Sequence, residues 1–337
     1  MRQSNIELLR LISMLMVVLV HCNFLSLSVP TINEINSDIL SAWSRYFFEA
    51  LTIICVNEFI LISGYFTIKP SMKGISNFLF MCIFYSFGFL ILYCILKNEF
   101  SLRDLYKSLF LGSDYWFVKS YLALYLISPV LNVFLKSITR KQLLYFIIIF
   151  YIYQTYFNLF QDSTGFIRSG YSVWSFIGLY FIGYYIKQYG MYVVKLSNRK
   201  LFLCYIVLSG VISIFAILGK LYLGNEMLFY AYCNPLVVLS SICFFILFSK
   251  INLQNKFINS IAVSVFAVYL IHINVFLKSY FISFVRMLYQ KTDGIICIIL
   301  ILFFGIGLFA FCILIDRIRI WIWNHFVFKR LVKYISK

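Results

Sequence analysis

Apolar residues in this chain come in long runs, and the polar residues collect in the short intervals between them. Runs of about 20 residues lie near 8–29, 46–68, 75–96, 118–135, 143–160, 172–189, 201–223, 228–249, 261–284 and 295–315, the length a helix needs to cross a hydrocarbon layer about 30 Å thick. The ten-residue alternation of an outer-membrane barrel is absent. The pattern predicts an all-α membrane protein, a polytopic bundle of about ten transmembrane helices. No repeat, low-complexity tract or linker breaks the series, so residues 1–337 read as one integral-membrane domain. The longest connection, from Lys97 to about Phe117, is the only one with room for structure of its own.

Composition narrows the class. Hydrophobic residues make up 63% of the chain and charged ones 12%, against roughly 25% charged in a soluble domain, which excludes an ordinary cytosolic enzyme, a secreted domain and a disordered chain. The net charge of +17 suggests nucleic acid until its distribution is read. With the N-terminus inside, 19 of the 29 Lys and Arg fall on the inner side. The other 10 share the outer connections with eight acids, Glu34, Asp38, Glu99, Asp104, Asp114, Asp162, Glu226 and Asp293. Short loops obey the positive-inside rule, so both termini are expected in the cytoplasm of a cell whose plasma or inner membrane holds the protein, with lipid rather than nucleic acid as the basic residues' partner.

The nine cysteines form no Cys-x-x-Cys pair and read as buried thiols. The first run resembles a signal peptide, with Ser26 and Ser28 after its apolar core, but its removal would reverse the agreement between span parity and charge. The tail 316–337, with Arg317, Arg319, Lys329, Arg330, Lys333, Trp321 and Trp323, reads as a basic interfacial piece on anionic headgroups, with His325 at headgroup level. The outer stretch from Gln161 to Tyr171, with Thr164, Gly165 and Arg168, is a candidate roof over an external pocket.

Ionisable groups inside spans carry the most information, because each costs about 2.5 to 3.5 kcal/mol at a helix centre on insertion scales. Arg10 and His21 are eleven residues apart in the first run; at 100° per residue they differ by about 20° and lie about 16 Å apart along the axis. One face thus presents a cation at the inner edge and an imidazole deep in the membrane. Arg10 also reads as a simple positive-inside anchor, and His21 as a ring bonded to a neighbouring helix. Other polar groups within spans are Asn57, Glu58, Ser63, Gly64, His272 and Asn274, while Glu49 is most simply interfacial.

These residues carry a resemblance. The helix with Arg10 and His21, the run Val56-Asn57-Glu58-Phe59-Ile60-Leu61-Ile62-Ser63-Gly64-Tyr65-Phe66 and the late Tyr269-Leu270-Ile271-His272 resemble, in that order, the integral-membrane acyltransferase family 3. The segment from Tyr115-Trp116-Phe117 to Leu131-Asn132 is similar to the family's central stretch in its capsule and exopolysaccharide branch. The resemblance implies a bundle of about ten helices that takes an acyl group, usually acetyl from cytoplasmic acetyl-CoA, and delivers it to a glycan hydroxyl outside. It implies His21 as the catalytic residue and Arg10 as a donor-holding one. Where many members carry Arg-x-x-Arg after the Ser-Gly segment, this chain has Lys69 and Lys73, point charges without the bidentate fork.

The chemistry points the same way from the residues themselves. Acyl transfer to a hydroxyl needs a base, and a neutral imidazole with a reference pKa of about 6.5 is suited to it. Glu58 or Asn57 is a candidate to fix its tautomer if the first two spans are adjacent. His272 is an alternative base, an oxyanion donor or a structural residue; Ser63 and Gly64 read as close packing rather than a nucleophile. Arg10, Lys69 and Lys73 are placed to meet the phosphates of acyl-CoA, a substrate and not a resident cofactor, and no metal is expected. Direct transfer and an acyl-histidine intermediate stay open, as do acetyl or succinyl and the oligomeric state. The rival reading is a lipid-linked glycan transporter or flippase; a glycan polymerase would be expected to use a larger basic outer loop. Trp116, Tyr115 and Tyr171 either stack on acceptor sugars or belong to the aromatic belt. Heavy use of Ile, Phe, Tyr, Lys and Asn suits an AT-rich bacterial genome.

Overall fold

In hydrocarbon every backbone N–H and C=O must bond within its own segment, and the apolar runs accordingly form helices. The computed structural model describes residues 3–109, 115–160, 165–190, 192–292 and 294–328, all of whose regular elements are helical. Asp114, Asp162, Thr164 and Asp293 of the expected outer connections, and Lys329, Arg330 and Lys333 of the tail, lie outside the described residues. The α-helices are α1 Ser4–Val20, α2 Ile32–Ser37, α3 Ile39–Thr52, α4 Cys55–Phe66, α5 Met72–Lys97, α6 Leu102–Ser108, α7 Trp116–Ser137, α8 Arg140–Leu159, α9 Val173–Tyr189, α10 Asn198–Leu218, α11 Pro235–Ser249, α12 Lys256–Ile261, α13 Val265–His272, α14 Lys278–Gln290 and α15 Gly294–Ile322. Many starts are capped by side chains, as with Ser71 before α5, Ser172 before α9, and Thr139, whose capping box with Gln142 opens α8.

All ten expected spans coincide with helix, but seven segments among the described residues are long and apolar enough to cross a membrane: Ser4–Leu25, Ile39–Phe66, Met72–Lys97, Trp116–Ser137, Asn198–Leu223, Met227–Ser249 and Ile296–Val327. The other three depart for visible reasons. α8 opens on Arg140-Lys141-Gln142 and carries Gln154, Thr155 and Asn158, which dilute its run. α9 stops after 17 residues at Gly190, whose φ is +62°. The expected span 261–284 is not continuous: the helix ends at His272 and resumes at Lys278. The loop from Lys97 is also not alone in having its own structure, since α2 forms in the first outer connection under a Thr31–Glu34 capping box. The tail continues α15 instead of starting a new segment at Asp316.

α1 sits in the middle, touching α3, α4, α11, α12, α13 and α15. The most extensive pairing is α4 with α9, where backbones meet directly. A Cβ on Gly64 would lie 2.1 Å from the Tyr180 carbonyl oxygen, and one on Gly183 2.3 Å from that of Leu61. This is small-residue packing of the kind the Ser-Gly segment suggested. Beyond α4 a ring of bonds fixes the chain: the Ile68 N–H donates to the Tyr180 hydroxyl (2.8 Å), that hydroxyl to Asn132 Oδ1 (2.7 Å), and Asn132 Nδ2 to the Ile68 carbonyl (2.8 Å).

Gly64→Leu and Gly183→Leu are each expected to cost about 3 kcal/mol or more, because the obstacle is backbone and cannot yield. Thermal unfolding of purified protein in detergent measures this, with Gly88→Leu, where a Cβ meets nothing within 4 Å, expected to stay near wild type.

Candidate active site

The helical register of α1 delivers the stripe anticipated above. Arg10, Met14, Val17, Val20, His21 and Phe24 share one face and line a cavity of about 750 Å³. At the Arg10 end its wall is completed by Gly74, Asn77 and Phe78 of α5, Tyr125 of α7 and Ala262. At the far end it is completed by Glu49, Trp116, Tyr171, Met227 and Tyr232. His21 stands between the two.

At His21 the helix widens into a π turn, His21–Leu25, a local irregularity frequent at functional sites. His21 Nδ1 lies 2.8 Å from Nε2 of His272, the last residue of α13, and His272 Nδ1 lies 2.6 Å from the carbonyl oxygen of Val268. A carbonyl only accepts, so His272 Nδ1 carries the proton. With both rings neutral, His272 Nε2 is then an acceptor and His21 Nδ1–H the donor. That leaves Nε2 of His21 as a lone pair, the form a general base requires. His272 does for His21 what a carboxylate does in a serine-hydrolase triad, holding tautomer and ring orientation. The break after α13 is held by Asn274, whose Oδ1 accepts from the Phe276 N–H (3.1 Å) and whose Nδ2 donates to the Tyr115 hydroxyl (3.0 Å).

A polar network clamps the π turn. Ser26 Oγ donates to the His21 carbonyl (2.6 Å), Arg286 Nε to the Ser26 carbonyl (2.7 Å), and Asn23 Nδ2 to the Arg45 carbonyl (3.0 Å) and to Glu49 Oε2 (2.9 Å). Arg45 in turn bonds Asn23 Oδ1 and the Ser28 carbonyl.

Several expected residues sit elsewhere. Glu58 and Asn57 do not reach His21: α4 turns them away from the cavity, which Cys55, Val56, Phe59 and Ser63 line instead. Asn57 Nδ2 donates to the Tyr232 carbonyl (3.0 Å), and fully buried Glu58 has no hydrogen-bond partner among the described residues. Arg10 lines the cavity and bonds Glu7 at 2.9 Å, but Lys69 and Lys73 do not line it; Lys73 lies over the Phe328 ring, 4.3 Å from its centroid. Glu49 is not interfacial but 1% exposed, because the π turn folds Asn23 over it. Arg319 is not a headgroup anchor: it is buried, bidentate to Asp316 at 2.6 and 2.9 Å, and reaches Asn77 Oδ1 of the cavity wall at 3.3 Å. Trp323 is buried too, whereas Trp321 and His325 remain exposed. Tyr115 is buried away from the cavity, while Trp116 and Tyr171 line it. Asn23, Arg45, Arg286 and Lys278 escape the sequence reading, the last a cavity-lining cation that interacts electrostatically with His21; only their polar character near apolar runs marks them.

Fold and site together define a multi-pass membrane protein with a histidine-centred cavity. The family model described as an acyltransferase domain matches residues 3–317, nearly the whole chain. The protein belongs to that family, the acyltransferase family 3 of the resemblance, and is an acyltransferase. No curated protein and no solved structure gives a significant match.

Removal of His272 tests the relay. His272→Ala is expected to lower kcat about 10²- to 10⁴-fold, with little change in the KM of the acyl donor. His272→Gln, whose amide oxygen accepts the same proton, is expected to regain part of the loss in steady-state assays.

Proposed function

We propose that the protein is a bacterial membrane O-acyltransferase moving acetyl from cytoplasmic acetyl-CoA to a hydroxyl of a surface or exopolysaccharide glycan. In this reading residues 1–337 form one domain in the plasma or inner membrane, with both termini and the Arg10 end of the cavity cytoplasmic. α8, α9 and the broken segment from α12 to α14 bring the passes to ten. The observation that carries the proposal is the single cavity joining the Arg10 end to the Trp116 end with His21 lining its middle, Nδ1 occupied and Nε2 left as a base.

The chemistry follows from that placement. The acceptor oxygen attacks the thioester carbonyl while its proton passes to His21 Nε2; the C–S bond breaks, and the departing sulfur takes the proton from the imidazolium, giving the ester and free CoA. Direct attack needs no acyl-histidine. Arg10 is assigned to the donor phosphates, where a guanidinium makes charge-assisted bonds. Asn77, whose Oδ1 is held by Arg319, presents its Nδ2 as a donor for the pantetheine arm. Lys69 and Lys73 are left to long-range attraction outside the cavity. A glycan flippase would use the same cavity but has no task for the His21–His272 bond.

Purified protein is to be incubated with [¹⁴C]acetyl-CoA and polysaccharide from cells lacking the gene. Wild type is expected to transfer label. His21→Ala, inserted normally, is expected to transfer less than 1% as much, about 10²-fold or more below wild type. Arg10→Ala is expected to raise the acetyl-CoA KM about tenfold, the loss of one charge-assisted contact. Full activity in His21→Ala removes the base from the mechanism.

A further inference from the structure

The Trp116 end of the cavity has a chemistry of its own. Trp116, Tyr171 and Tyr232 line it as one contiguous wall, with ring centroids 4.4 Å apart for Trp116 and Tyr171, 4.9 Å for Tyr171 and Tyr232, and 5.8 Å for Trp116 and Tyr232. These rings face inward: Tyr232 is 6% exposed and Trp116 half-buried, so they are not part of a lipid-facing belt. The buried carboxyl group of Glu49 lines the same end, one of its oxygens held by Asn23. We infer that Trp116, Tyr171, Tyr232 and Glu49 form the subsite that holds a neutral sugar ring of the acceptor, an assignment that rests on the acyl-transfer reading.

The arguments are chemical. A pyranose offers an apolar C–H face, which lies against aromatic rings, and a rim of hydroxyls, which hydrogen-bond to a carboxyl group. The nucleotide of the donor is the wrong occupant, because its phosphates call for charge-assisted donors such as the Arg10 guanidinium, which lines the opposite end. An acyl chain offers the Glu49 carboxyl group no hydrogen-bonding partner beyond Asn23, whereas a sugar hydroxyl does. The wall is also rigidly built. Tyr232 is fixed by its N–H on the Ser169 carbonyl (3.0 Å) and by Asn57 Nδ2 on its own carbonyl (3.0 Å). At Gly170, whose φ is +92°, any Cβ would lie 2.6 Å from that of Tyr232. Asn57 is thus a positioning residue for the acceptor wall. Asn23, which holds Glu49, is two residues from His21 on the same π turn, so the carboxyl group and the base have a fixed relation.

The test uses the full-length protein in nanodiscs, [¹⁴C]acetyl-CoA as donor, and as acceptor probe oligosaccharides cleaved from the surface polysaccharide of cells lacking the gene. Trp116→Ala and Tyr232→Ala are expected to raise the oligosaccharide KM at least tenfold and to leave the acetyl-CoA KM within twofold. Glu49→Gln is expected to raise the oligosaccharide KM several-fold. Asn57→Ala is expected to follow Tyr232→Ala more weakly, with kcat retained. Binding is read separately, without turnover, as quenching of tryptophan fluorescence by the same oligosaccharides. Quenching is expected to disappear in Trp116→Phe, a conservative variant whose acetyl-CoA binding reports folding. Wild type that transfers label while the Trp116 and Glu49 variants keep the wild-type oligosaccharide KM overturns the subsite alone. A raised acetyl-CoA KM in its place reassigns the wall to the donor and also overturns it. Wild type that binds the oligosaccharides through Trp116 but transfers no label upholds the subsite and refutes acetyl-CoA as the donor. Neither binding nor transfer overturns both.

Discussion

A 2.8 Å bond between two imidazoles, His21 and His272, organises the molecule. Helices of a bundle pack with their axes about 8–10 Å apart, and both helices that carry these rings are interrupted where the rings meet. α1 opens into a π turn at His21 and α13 ends at His272. Each interruption frees backbone polar groups, and in a membrane interior these must find partners. The Ser26, Asn23, Arg45 and Arg286 contacts on one side, and Asn274 with Tyr115 on the other, are those partners. The polar residues packed round the site therefore sustain the two helix breaks at which the rings touch.

The two ends of the cavity differ in chemistry as well as in place. The Arg10 end carries a guanidinium bonded to Glu7, and its Asn77 is fixed by a second guanidinium that is itself neutralised by Asp316, whose Oδ1 also accepts from the Tyr85 hydroxyl at 2.7 Å. The other end pairs aromatic rings with a carboxyl group. In the proposed reading such a difference sorts two unlike substrates without a moving part: a phosphate pairs with the guanidinium at one mouth, and a sugar ring with the aromatic wall at the other. Burying Arg319 and Asp316 is costly unless every partner is in place, and here both carboxylate oxygens are engaged.

What the sequence disclosed was what depends on local periodicity. The alignment of Arg10 with His21 follows from 100° per residue and holds in the structure, as do the helical nature of every apolar run and the close packing at Gly64. Chain adjacency was the only guide to the partner of His21, and it pointed to Asn57 and Glu58 in the next span; the true partner lies 251 residues away. Glu49 read as interfacial because no pattern announces a π turn, and Arg319 as a lipid anchor because its salt bridge depends on where α15 packs. Seven long apolar segments stand against ten expected spans because a helix interior carries polar residues, at α8, or the helix stops, at Gly190 and His272, and hydropathy averages across both. Motif order, by contrast, was sufficient for the family, because a resemblance draws on several separated segments at once.

The glycine contacts between α4 and α9 have a dynamic corollary. Two helices whose main chains touch at Gly64 and Gly183 have no compressible side-chain layer between them, so they behave as one rigid post. Cys55, Val56, Phe59 and Ser63 of that post line the cavity. Any widening that admits a bulky molecule must then come from the facing wall, where α5, α7 and α13 meet through the deformable rings of Phe78, Tyr121 and Phe266. The post keeps its shape while the opposite wall breathes.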